Sequence, residues 1–108
     1  MTSNDFSSTL TASASAFTIP FKQNSGPYGS MGVMATITPT SQLLYPCTVW
    51  VTPSSGSSVV VNYCFDGVTN VPWGPGTVTS FTTNTINSCP GSITFKLVSG
   101  TGSKIGIT

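Results

Sequence analysis

Ile93-Thr94-Phe95-Lys96-Leu97-Val98 is the most telling stretch of this chain. Ile93, Phe95 and Leu97 fall on one side, and Thr94, Lys96 and Val98 on the other. Alternation with period two is the mark of a strand with one buried face. The same pattern recurs on either side of it. Gly32 to Thr38 sets Val33, Ala35 and Ile37 against Met34, Thr36 and Thr38. Cys47 to Thr52 and Ser58 to Phe65 are β-branched and aromatic, as strands prefer. Thr77 to Thr83 alternates Val78, Ser80 and Thr82 against Thr79, Phe81 and Thr83. Lys104 to Thr108 offers a last short strand through Ile105 and Ile107. Near the start, Phe17, Ile19 and Phe21 share a face, and Pro20 places that strand at an edge.

These strands are short and separated by Gly- and Pro-containing turns, and no segment holds a 3.6-residue apolar period. The expected fold is all-β. It is a single small β-sandwich, jelly-roll or immunoglobulin-like, of about seven short strands. Residues 1–15 read as an extended N-terminal arm and residues 16–108 as the sandwich domain. Asp66 to Gly76 reads as a long loop. With 108 residues the chain has room for one core and no second domain.

Composition narrows function by what it leaves out. There is no histidine, arginine or glutamate, and the charged side chains are Asp5, Lys22, Asp66, Lys96 and Lys104. Two carboxylates, one of them in a polar arm, do not make a glycosidase pair. No Ser-x-x-Lys spacing supplies a serine nucleophile with a lysine base. Three separated cysteines and an aspartate do not resemble a zinc site. The chain therefore reads as non-enzymatic, with no cofactor and no metal. A net charge of +1 and no basic stripe argue against nucleic acid. No stretch is long and apolar enough to span a membrane. Met1 to Ala16 lacks the basic and apolar segments of a secretory signal. With so few carboxylates, acid is expected to change folding stability little.

Cys47 and Cys64 are a candidate disulfide. Val49-Trp50-Val51 and Val59-Val60-Val61 flank a hairpin-like loop centred near Ser55 and Gly56, and that register sets the two cysteines opposite each other. A bridge there would add about 3 kcal/mol. Cys89 is an alternative partner for either, and the missing signal segment weighs toward reduced thiols. Trp50, in an apolar strand, reads as core.

One loop has the makings of a binding site. Asp66, Asn70 and Trp73 lie among flexible residues, and Tyr28 in Gly26-Pro27-Tyr28-Gly29 offers a second ring. An aromatic face beside Asp and Asn is suited to a glycan or a partner. The structural alternative, a turn at Asp66-Gly67 with Trp73 capping one end of the sandwich, outweighs it.

These features make the chain look like a structural or assembly protein. The favoured setting is a virion, as a capsid, spike, decoration or fibre subunit. Its partners would be copies of itself or other structural subunits. Low charge lets such surfaces meet without burying unpaired ions. The alternative is a carbohydrate-binding module, or a lectin-like or adhesin surface domain, with glycans as partners. Either reading places the protein on a virion or an extracellular surface.

Overall fold

The computed structural model describes residues 4–12, 17–24, 32–40, 43–87 and 90–108, and only the backbone of Phe17, Ile19, Gly74 and Pro75. Tyr28 and Cys89 lie outside the described residues. Every regular element described is a strand. In chain order they are β1 (Phe6–Thr11), β2 (Phe17–Pro20), β3 (Met34–Thr38), β4 (Cys47–Pro53) and β5 (Ser58–Cys64). These are followed by β6 (Asn70–Val78), β7 (Thr82–Ile86), β8 (Ser92–Ser99) and β9 (Gly102–Ile107).

The strands form two sheets, one ordered β1-β9-β4-β7 and the other β2-β3-β8-β5-β6. All neighbours are antiparallel except β2 and β3. Leave out β2, and the remaining eight strands pair first with last: β1 with β9, β3 with β8, β4 with β7, and β5 with β6. That is one long hairpin, closed at the β5–β6 turn and wound into a sandwich. It is the jelly-roll arrangement rather than the immunoglobulin one.

Alternation decides which face each strand buries. Ile93, Phe95 and Leu97 of β8 point inward, and Val49 and Val51 of β4 meet them with Val59, Val61, Ile105 and Ile107 in one core. Ala35 and Ile37 of β3 complete the layer. β2 lies at a sheet edge, where the missing N–H of Pro20 does least harm.

Three expectations are corrected. First, the segment read as an arm is partly a strand. Phe6 to Thr11 pairs with Ile107 to Gly102 over its whole length, and Phe6 and Leu10 are fully buried. The sandwich therefore begins well before residue 16. Ser7, Ser8 and Thr9 hid a strand because hydroxyl residues suit both a sheet face and an arm. Second, Asp66 to Gly76 is mostly β6. It pairs with β5 on both sides of a bulge at Trp73–Gly76, opposite Val61. The glycines and prolines mark an irregular edge strand, which resists pairing with foreign strands. Together these two bring the count to nine strands among the described residues. Third, β4 and β5 are not a hairpin. They belong to different sheets, so the register that set Cys47 opposite Cys64 does not form. Both cysteines are buried thiols not joined as a disulfide. The expected strand Thr77 to Thr83 also divides. Its first half ends β6, its second half begins β7, and Thr82 Oγ1 donates to the Ser80 carbonyl at 3.0 Å in the turn between.

The position of Phe6 yields a prediction. Its ring packs against Phe21 at 5.9 Å. Phe6→Ala is expected to lower the free energy of unfolding by about 3–5 kcal/mol, read by chemical denaturation. A detached arm would give no measurable change.

Candidate functional site

The β5–β6 turn is built around Asp66. Its carboxylate accepts the Thr69 N–H at 2.7 Å and the Val68 N–H at 2.8 Å, so the side chain is turned back on its own loop. Gly67, at a φ of +82°, supplies the left-handed residue the turn requires. The Thr69 and Val68 N–H groups, in that order, hold the carboxyl below its ordinary value of 3.8. Around it the loop exposes apolar surface: Val68 is 84% exposed, Phe65 51% and Val71 46%. Asn70 is exposed and pairs with Cys64 across the start of the hairpin.

Trp73 does not join them. It is 2% exposed and part of the core, with its indole N–H lacking a partner. The structural alternative describes its position better, and the residue offers no stacking face. The structure therefore brings Asp66 and Asn70 to one turn and sends Trp73 inward. Under β5, Tyr63 is buried, and its hydroxyl accepts from Asn84 Nδ2 at 2.9 Å. Burial pushes its pKa up against the smaller opposing effect of that bond.

A different aromatic site lies on the outer face of the four-stranded sheet. Trp50, read from the sequence as core, points outward. Cys47, Val49 and Val51 are its buried neighbours, and the alternation of β4 puts Thr48, Trp50 and Thr52 on the other side. Applying that alternation through Trp50, rather than its apolarity, would have placed it correctly. The indole lies over Gly106 of β9, its registered partner, and its Cε2 and Cζ2 atoms occupy the space a Cβ there would take. Trp50, Phe81, Thr48, Thr83 and Thr108 line a shallow depression of about 290 Å³. Phe81 forms one wall from the β6–β7 turn and is 64% exposed. No lining side chain is charged. Thr48 Oγ1 lies 3.5 Å from Thr85 Oγ1 beside it.

Among the described residues no three cysteines or carboxylates gather to hold a metal ion. No protein-family model, curated protein or solved structure matches the chain.

Two predictions follow from this geometry. Because Asp66 titrates at a lower pH when folded, the stability it contributes is present above its unfolded value and lost as pH falls through the folded one. Denaturation midpoints should be level from pH 7 to about pH 5 and fall only below about pH 4. Asp66→Asn should flatten that fall. Separately, Gly106→Ala should cost about 1–3 kcal/mol by crowding the indole. Adding Trp50→Ala should recover part of the loss, as a double-mutant cycle would show.

Proposed function

We propose that the protein is a non-enzymatic structural subunit that works through subunit–subunit contacts, and that its setting is a virion, as a capsid, spike, decoration or fibre component. The observation that carries this is the apolar corner at the β5–β6 turn. Phe65, Val68 and Val71 project from one tip of a jelly roll whose only charge in that loop, Asp66, is engaged by its own backbone. Exposed apolar clusters on a small domain mark contact surfaces. Leu44, 43% exposed, projects from the β3–β4 connection at the same end of the sandwich. Strand connections fix that shared end: the short loop from Pro53 to Ser58 joins the opposite end, so Cys47 and Cys64 both lie at this one.

The remaining surface suits the reading. Hydroxyls rather than ions cover the sheet faces, so copies can meet without desolvating charges. The same scarcity of ionisable groups suits a particle that must persist across pH.

Light scattering after size exclusion tests the proposal. The wild type should exceed its 11.1 kDa monomer mass at pH 7 and at pH 3. The double variant Phe65→Ser, Val68→Ser should be monomeric and still folded, its denaturation midpoint lowered only by the loss of the Phe65 ring's contact with Tyr63. A wild type that stays monomeric at high concentration would overturn the reading.

A further inference from the structure

We infer that the outer edge of β7 is a pairing site for the same edge of a second copy of this chain, which joins two four-stranded sheets across a two-fold axis. The inference rests on the assembly reading for its occupant. It adds a contact separate from the corner at the β5–β6 turn.

The open groups follow from the ladder. Thr48 and Thr108 exchange both backbone bonds, so the N–H and C=O of Thr48 point toward β9. Successive residues of a strand point their backbone groups to opposite sides. Those of Cys47, Val49 and Val51 therefore point toward β7, where they meet Ile86, Asn84 and Thr82. Thr83 and Thr85, which alternate with these, turn their N–H and C=O away from β4. β7 is the last strand of its sheet, and among the described residues nothing bonds to those groups.

The other sheet edges are blunted. β2 carries Pro20. β6 carries Pro72 and Pro75 and breaks its register at the bulge. In β1 the Thr11 N–H is taken by the Gly32 carbonyl at 2.9 Å. β7 has no proline, glycine, charge or bulge over Thr82–Ile86. Edges left in this state are templates for another strand.

A second copy fits because this edge is its own complement. Two β7 strands can lie antiparallel with Asn84 opposite the partner's Asn84. Thr83 then faces the partner's Thr85, and Thr85 faces the partner's Thr83. Both are hydrogen-bonding pairs, so every open group of both threonines is satisfied at once. The two side chains are exposed, and they form threonine pairs across the junction as Thr48 and Thr85 do within the sheet. No charge meets its own copy. A strand of another sequence would find the ladder but no charge on β7 to select it, whereas two copies match residue for residue.

The contact is small. Five residues a side compare with about 20–30 in a stable interface. Pairing through β7 is accordingly weak alone and takes effect between copies that the corner has brought together. One two-fold contact closes a dimer, and a second kind of contact lets assembly continue beyond it.

The test uses the full chain carrying Phe65→Ser and Val68→Ser, which removes the corner. Sedimentation equilibrium from about 20 μM to about 1 mM should show monomer turning to dimer, with a Kd on the order of 0.1–1 mM. At the higher concentration, amide exchange followed by NMR should slow about two- to fivefold at Thr83 and Thr85 and stay unchanged at Thr82, Asn84 and Ile86. Adding Thr83→Lys and Thr85→Lys should abolish the dimer with the denaturation midpoint nearly kept. Mixing that protein with one carrying Thr83→Glu and Thr85→Glu should restore it, because the two-fold register sets opposite charges face to face. A monomer at every concentration leaves the edge to a strand of another protein or to none, and overturns the inference. So does a dimer that is indifferent to the lysines or that leaves Thr83 and Thr85 unprotected. The corner reading fails on a different result, a wild type and a Phe65, Val68 variant of equal mass at the dilution of size exclusion.

Discussion

The structure depends on the meeting of its first and last strands. A hairpin wound into a jelly roll has its turn in the middle of the chain and its free ends far apart in sequence. Nothing local holds those ends. Here β9 lies between β1 and β4, paired with both, and so closes the four-stranded sheet. Asn4 secures the closure just before β1. It is 4% exposed, its Nδ2 donates to the Leu44 carbonyl at 3.0 Å, and its Oδ1 accepts the Leu44 N–H at 2.9 Å. The same Nδ2 reaches the Thr108 carbonyl at 3.4 Å. One amide thus joins the start of the chain, its end and the β3–β4 connection. At the last residue Thr108 and Thr48 exchange both backbone bonds, at 2.8 Å each, so the ladder runs to the end of the chain.

A chain with five charged side chains must satisfy its polar groups by other means. Hydroxyls do much of that here. Ser57 Oγ, buried, accepts the N–H groups of Thr101 and Gly102 and so ties the β4–β5 connection to the β8–β9 turn. Ser58 and Ser99 share a bond of 2.6 Å, and Thr36 and Thr94 one of 3.3 Å across β3 and β8. Such pairs keep their strength in salt and across pH, unlike surface ion pairs. They also leave the outer faces amphipathic. That quality suits the assembly reading, because a neighbouring subunit then has no bound ion to displace.

The strands with strict apolar alternation were legible in the sequence: β3, β8, β9 and the inner face of β4. Their side chains differ enough in hydrophobicity for one face to declare itself. Where Ser and Thr fill the outer positions and much of the strand, as in β1 and β7, the contrast weakens and the boundaries blur. β6 was hidden for another reason. Gly74, Pro75 and Gly76 are loop residues by every local criterion, and their place in a strand depends on a partner, β5, which supplies the pairing around the bulge. The link between β4 and β5 misled in the same way. A four-residue connection between two apolar strands fits a hairpin, and it fits equally an arch from one sheet to the other. Only the long-range partners, β7 and β9 for one and β6 and β8 for the other, separate the two. The sites follow the same division. Asp66 at a turn was readable from its neighbours. Trp50 belies its apolar setting, because its place depends on which face of β4 looks inward.

The Asn4–Thr108 contact has a consequence for connectivity. The described ends of the chain are side by side, so the fold is nearly a closed loop interrupted at one point. A short linker could join them, and the chain could be reopened in the exposed Ser54-Ser55-Gly56 stretch with every strand keeping its present neighbours. The order of strands along the chain and the order of strands in space are therefore separable in this protein. The jelly roll is specified by which faces meet, and neighbouring ends are what such a rearrangement requires.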